Sequence, residues 1–440
     1  MNRVLRHAHI LTEDTNQTII EDGALVIEDH TIAFVGPDDT LPAKYTSFEM
    51  IDASDCLLLP SLINCHTHTG MLAFRSLGDD VADRLRRFLL PMEKSCMTEA
   101  LASASAALAI AEMQLSGIGC AVDMYYYEKA IVKTASLMGF RLFGGETIIK
   151  ESPCNSKTEH EGLTYAELLR ESERDNPFYT MVYAPHAPYS VSSPTLKTIH
   201  DLALKNESKW TMHLSEMDFE LEQIALHYGM TPIAYLESLG VLSDHLLAVH
   251  CIHTTDEDLS LLAKHKTAVV HCPGANAKAG KGVARVTDML QRGIPVCLGT
   301  DGPSSGNTLD MFTQMKLCAI LQKNAHKDRT LLQARQVVPM VTTVAAKALG
   351  MEDRLGSLEV GKDADILVLG LEMPNAIPCF DPYSALIYSM GVQNVRHLFT
   401  RGEWVVKDHQ LTQCNLSVLK EEFLKAAEPF FREAKIRLKE

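Results

Sequence analysis

Apolar and polar positions follow two different rhythms along this chain. From residue 1 to about 57, short apolar runs are closed by turn signals. Ala24-Leu25-Val26-Ile27 and Ile32-Ala33-Phe34-Val35 are examples, the second ended by Gly36-Pro37. This rhythm predicts a small antiparallel β unit. From residue 58 to about 350, strand-type runs recur at 58–66, 119–124, 141–149, 179–184, 210–214, 246–252, 267–272 and 294–300. Long helical stretches separate them. One is the alanine-rich segment Thr98 to Leu115, and others follow Ser193, Glu216, Thr255, Val283 and Leu309. Strands alternating with helices in this way predict an α/β fold, a (β/α)8 barrel. A doubly wound open sheet is the second reading, but no Gly-x-Gly-x-x-Gly turn follows the first strand. Past residue 355 the β rhythm returns in Ala364 to Leu369, Val395 to Phe399 and Trp404 to Val406. The expected organisation is a composite β-sandwich from residues 1–57 and 355–412, a barrel at 58–354, and a C-terminal helical segment at 413–440.

Barrel enzymes carry their chemistry at the C-terminal ends of the strands. Here the first run ends in His66 and His68, which share one face of a strand. The next runs end in Asp123, Glu146, His186, His213, His250, His271 and Asp301. With 18 histidines in 440 residues, chance rarely places one at so many strand ends. A surface strand with two histidines accounts for His66 and His68 alone, but not for the joint pattern. Imidazole with carboxylate suits Zn²⁺ or Fe²⁺ better than Mg²⁺. Three histidines and one aspartate leave a position for water, whose pKa such a metal lowers from 15.7 to about 7. Glu216 lies three residues past His213, in the loop beyond the strand, where it can meet a substrate. Its other reading is a charge favourable to a helix N-terminus.

Composition narrows the partners. The net charge is −15 and no Lys/Arg-rich block occurs, so nucleic acid is not expected. No apolar run is long enough to span a bilayer and no signal-type segment opens the chain, so a cytoplasmic protein is expected. The 11 cysteines include no Cys-x-x-Cys pair. They read as small core residues in a reducing compartment. The same absence excludes the deaminases that hold zinc through a Pro-Cys-x-x-Cys signature.

Taken together, Pro60 to Gly70, His213-Leu-Ser-Glu216, Val249-His250-Cys251, His271-Cys-Pro and Leu298-Gly-Thr-Asp301-Gly resemble the amidohydrolase superfamily. The branch is the one with a single metal and aminohydrolase activity. Leu90-Pro-Met-Glu93, Val122-Asp123-Met-Tyr125 and Pro185-His186-Ala-Pro-Tyr189 resemble 5-methylthioadenosine/S-adenosylhomocysteine deaminases. The resemblance implies one divalent metal per subunit, Zn²⁺ or Fe²⁺, on His66, His68, His213 and Asp301. It implies that His250 holds the attacking water, that Asp301 takes its proton, and that Glu216 carries a proton to the ring. Glu93 would hold ribose hydroxyls and His186 the purine. His271 would stand behind the ligands, with Asn276 and Lys278 in a pocket loop. The substrate would be a small nucleoside; relatives are often dimers or larger.

Alternatives remain at this point. Another ring, such as guanine, cytosine or a triazine, would use the same ligands. A binuclear site would need a carboxylated lysine, for which Lys150 is placed. A non-enzymatic scaffold would be expected to have lost ligands, and none is missing. One departure stands out: no arginine occurs from 142 to 169, where relatives grip an amino-acid carboxylate. Glu146 falls near one expected arginine, which predicts a preference for neutral 5′ groups.

Overall fold

The apolar run at 58–66 is two strands, split at Ser61. Cys56–Pro60 pairs antiparallel with Ile366–Gly370, and Leu62–Thr67 belongs to the barrel. Pro60 has no N–H to extend a ladder. Ser61 N–H instead donates to the Asp365 carbonyl at 3.0 Å. The computed structural model describes residues 2–82 and 84–439. It contains two compact units. One comprises residues 1–64, 111–120 and 310–414; the other comprises 65–110, 121–309 and 415–440. The expected boundary near residue 57 therefore falls inside a strand.

In the first unit, both chain ends share one nine-stranded sheet. Its order runs Gln410–Leu411, Glu403–Lys407, Val395–Thr400, Ile366–Gly370, Cys56–Pro60, Arg3–Leu11, Ile19–Glu28 and Thr31–Pro37, with Glu49–Asp52 also paired to Arg3–Leu11. The sheet turns back on itself. Ile32 N–H donates to the Lys362 carbonyl and Ala364 N–H to the His30 carbonyl, each at 2.9 Å. The enclosed core includes Leu25, Ile27, Leu58, Ile366, Val368 and Phe399, all buried. Trp404 stacks on Phe399 at 4.0 Å between centroids.

The eight-stranded sheet is parallel where its register is defined, and each strand pairs with its chain neighbour. The strands are Leu62–Thr67, Ile118–Tyr125, Arg141–Ile148, Tyr179–Pro185, Lys209–Leu214, Leu246–His250, Ala268–His271 and Val296–Leu298. Each of the eight expected runs overlaps one. The seam between last and first strand closes where Asp301 N–H donates to the His66 carbonyl at 3.1 Å. Gly299 permits the approach, since a Cβ there would lie 2.9 Å from the His66 Cβ. Some of the helices begin at side-chain caps. Ser192 accepts the Thr195 N–H, and Thr255 with Asp258 forms a capping box. The C-terminal helical segment is the helix Leu416–Arg437. It continues through Pro429 because Phe423, Ala427, Phe430 and Ala434 share one buried stripe. Phe430 packs edge-on against Phe74 at 4.6 Å. Among the described residues, no single helix is long and apolar enough to cross a membrane.

Candidate active site

Three imidazoles meet at the C-terminal ends of the first and fifth strands. His213 Nε2 lies 3.2 Å from His66 Nε2 and 3.3 Å from His68 Nε2. Backbone carbonyls decide which nitrogen of two rings carries the proton. His68 Nδ1 donates to the Met124 carbonyl at 2.5 Å, and His213 Nδ1 to the His186 carbonyl at 2.9 Å. Their Nε2 atoms are therefore left as lone pairs. Asp301 Oδ1 adds a fourth donor, 3.3 Å from His68 Nε2 and 3.8 Å from His66 Nε2. Lone pairs packed this closely repel unless a cation lies between them. A tetrahedral ion with bonds of about 2.0–2.1 Å sets its ligands roughly 3.3 Å apart. The observed spacings fit such an ion.

The electrostatics agree. Burial, reinforced by the neighbouring rings, holds His66 and His213 well below the usual histidine range. Burial also opposes charge on His68, but Asp301 outweighs it and lifts the pKa to about 9. The carboxylate thus calls for a cation at this point. Ser215, His250, Cys251 and Asp301 all adopt left-handed φ, from 45° to 72°. Non-glycine residues held this way cluster at functional sites.

Glu216 and His250 stand beside the histidine trio. His250 Nε2 is 3.5 Å from Glu216 Oε1, and its Nδ1 bonds Asn276 Oδ1 at 3.0 Å. Glu216, His250 and Asp301 form a second set that could hold a metal ion, beside His66, His68 and His213. Burial works to raise the Glu216 pKa, but the charges of His250 and Lys281 outweigh it and hold it at about 2.

The His186 ring lies 5.0 Å from that of His213, and burial pushes its pKa down to about 4. Glu93 accepts the Tyr125 hydroxyl at 3.0 Å, and the Tyr125 ring lies 6.5 Å from His68. Asp123 is structural: its oxygens accept the Thr69 N–H at 2.7 Å and hydroxyl at 2.6 Å. This pins the loop that follows His68. His271 is buried behind His250, and burial lowers its pKa to about 3. Lys278 is ion-paired with Asp79 at 2.9 Å. Lys150 is exposed, with its Nζ 3.5 Å from the Tyr189 carbonyl. An exposed side chain does not supply the bridge that a binuclear site needs.

Glu146 corrects an expectation. It lies on the same strand face as Gly144, whose Cβ position points at Glu128 and Val132 of the helix Glu128–Leu137. Its carboxylate accepts the Glu128 N–H at 3.0 Å and the Asn155 amide at 2.7 Å. It caps a helix in the outer layer and does not face the histidines. A preference for neutral 5′ groups can no longer rest on it. Burial pushes its pKa to about 8. The folded protein thus keeps this proton longer than the unfolded chain. Stability should fall as pH rises from the ordinary value, 4.5, towards about 8. The slope from this group is at most about 1.4 kcal/mol per pH unit. Denaturant melts of Glu146→Gln between pH 5 and 8 should lose less stability than wild type; parallel curves would refute the assignment.

Sequence comparison decides the family. The amidohydrolase family matches residues 57–405. The chain belongs to the amidohydrolase family. This amidohydrolase is 37% identical over 421 residues to a 5-methylthioadenosine/S-adenosylhomocysteine deaminase of Syntrophobacter fumaroxidans, covering 95% of this chain and 96% of the relative. A protein of the same name from Pyrococcus furiosus is 35% identical over 415 residues, covering 93% and 97%. Among solved structures, a zinc-bound adenosine deaminase from Xanthomonas campestris superposes with a TM-score of 0.93 at 28% identity, covering 98% of both chains. A triazine hydrolase, at 21% identity and a TM-score of 0.90 over 97% of this chain and 99% of that one, shares the fold. Family and donor set together support a divalent metal. Lys281, on Glu216, was not foreseen. Its one signal in the sequence is the flanking pair Gly280 and Gly282, in a loop past a barrel strand.

Proposed function

We propose that this amidohydrolase is a hydrolytic deaminase of an adenosine-type nucleoside, releasing ammonia and the inosine-type product. The substrates in view are 5-methylthioadenosine, 5′-deoxyadenosine, adenosine and S-adenosylhomocysteine. The observation that carries the reading is a carboxylate, Glu216, set beside the histidine trio and next to His250. The names of the similar proteins support it.

A divalent metal, Zn²⁺ by the donor set though Fe²⁺ accepts the same ligands, would be held by His66, His68, His213 and Asp301 and supply the Lewis acidity that makes water a nucleophile near neutral pH. The chain's own groups do the rest. Asp301 accepts the proton of the attacking water, and His250 Nε2 holds that water against the ring carbon. Glu216, a carboxylate at rest, takes up the water's other proton and carries it to the ring nitrogen beside that carbon, which relieves the charge developing there. The amine then leaves as ammonia with the proton from Asp301. His186 borders the purine, and Glu93 accepts ribose hydroxyls. The one exposed and two half-buried cysteines among 11 free ones suit a reducing cytoplasm.

Ammonia release from a panel of amino-purine nucleosides, free bases, cytosine and triazines tests this. Adenosine-type nucleosides should lead, and a free base or triazine as best substrate would overturn the nucleoside reading. Glu93→Ala should raise KM for nucleosides about 10- to 100-fold, the worth of a charged hydrogen bond, and leave free adenine unaffected. An equal effect on both would remove Glu93 from the ribose site.

A further inference from the structure

Glu216 has two possible employments. It sits close enough to His250 and Asp301 to join them as a metal ligand, with one donor atom from each within 4.8 Å of the others. It also sits where a proton carrier is needed. Lys281 separates the two. Its ammonium is ion-paired with Glu216 Oε1, and the side chains are only 19% and 16% exposed. The same oxygen faces His250 Nε2.

The lysine is held in place from its own loop. Its N–H donates to the Asn276 carbonyl at 3.0 Å, and the Asn276 side chain bonds His250 Nδ1. Gly280 and Gly282, at φ of 65° and 106°, make the turn that presents it. The backbone of Glu216 is fixed from the other side. Glu220 accepts the Ser215 and Glu216 N–H groups at 2.8 and 2.9 Å. Only the side chain of Glu216 is therefore free to choose a partner. A cation in the cage and the lysine ammonium compete for one carboxylate.

Resting on the deaminase reading above, we infer that Lys281 is a positioning residue that keeps Glu216 out of the metal's ligand set and aimed at the substrate ring. Without it, no ammonium opposes the metal's pull, and Glu216 turns to the metal. The metal is then held more firmly while the proton carrier is lost.

Cobalt-substituted protein tests this, because visible absorption weakens as coordination rises above four. Lys281→Met should show weaker absorption and slower cobalt loss to a chelator. Its kcat on the best nucleoside should fall about 10- to 100-fold, with KM changed by less than about threefold. Lys281→Arg should restore both spectrum and kcat. In Lys281→Met with Glu216→Gln, the spectrum should return to the wild-type form, with no loss of rate beyond Glu216→Gln alone. A wild-type spectrum and rate in Lys281→Met, or rate losses that multiply in the double variant, would overturn the inference. Wild-type protein inactive on every amino-purine would overturn the deaminase reading instead, and the spectra and chelator rates would then judge Lys281 without it.

Discussion

Replacing His66, His213 or Asp301 with alanine is expected to abolish deamination and strip the protein of its metal. Each contributes one of four donor atoms that lie 3.2 to 3.8 Å from a neighbour in the set. Backbone carbonyls fix the rings of His68 and His213, and Glu216, the one further carboxylate beside the set, is held by Lys281. Partners behind a ligand already cost about 10- to 100-fold in affinity or activity when removed, so loss of a ligand itself should cost more. Elemental analysis after gel filtration and an ammonia assay check it. The wild type should carry one metal per subunit, and two would revive the binuclear reading. Full metal content with near-normal turnover in all three variants would dissolve the site.

Glu216→Gln should behave differently. The amide keeps the shape of the side chain but cannot shuttle a proton. The metal should remain, while kcat falls by about 10² to 10⁴, the usual worth of a positioned acid or base. Steady-state kinetics beside metal analysis separate the cases. If the variant loses its metal, Glu216 is a ligand and the division of labour proposed above is wrong.

The strand-end histidines could be read from sequence because two regularities coincide there. An apolar run ending in a polar residue marks where a parallel strand leaves the core, and barrels gather those ends at one mouth. That places a longer set of polar residues at the strand ends; the choice of His66, His68, His213 and Asp301 among them comes from the resemblance to the amidohydrolase superfamily. Other features depend on information that a run does not carry. The run 58–66 is apolar on both sides of Pro60-Ser61, and one proline with one serine is too weak a break to mark the passage from one sheet to another. Glu146 was misplaced because a one-residue change of register turns a strand side chain to the opposite face. The pairing of Lys281 with Glu216 joins loops 65 residues apart in sequence, and no local pattern encodes it. Residues 416–437 read as helical from their amphipathic spacing, and the helix runs through Pro429 along its buried stripe.

The seam of the barrel has a consequence for the cell. Its closing hydrogen bond runs from Asp301 to His66, two residues that also offer donor atoms to the metal. An ion bound there would hold the first and last strands together and would have no comparable site on the unfolded chain. Each tenfold rise in free metal above the dissociation constant therefore adds about 1.4 kcal/mol to the folded state. Metal scarcity would act on abundance as well as on turnover. Apoprotein would then open at the seam more often, and each opening would expose strand edges to proteases and to other chains.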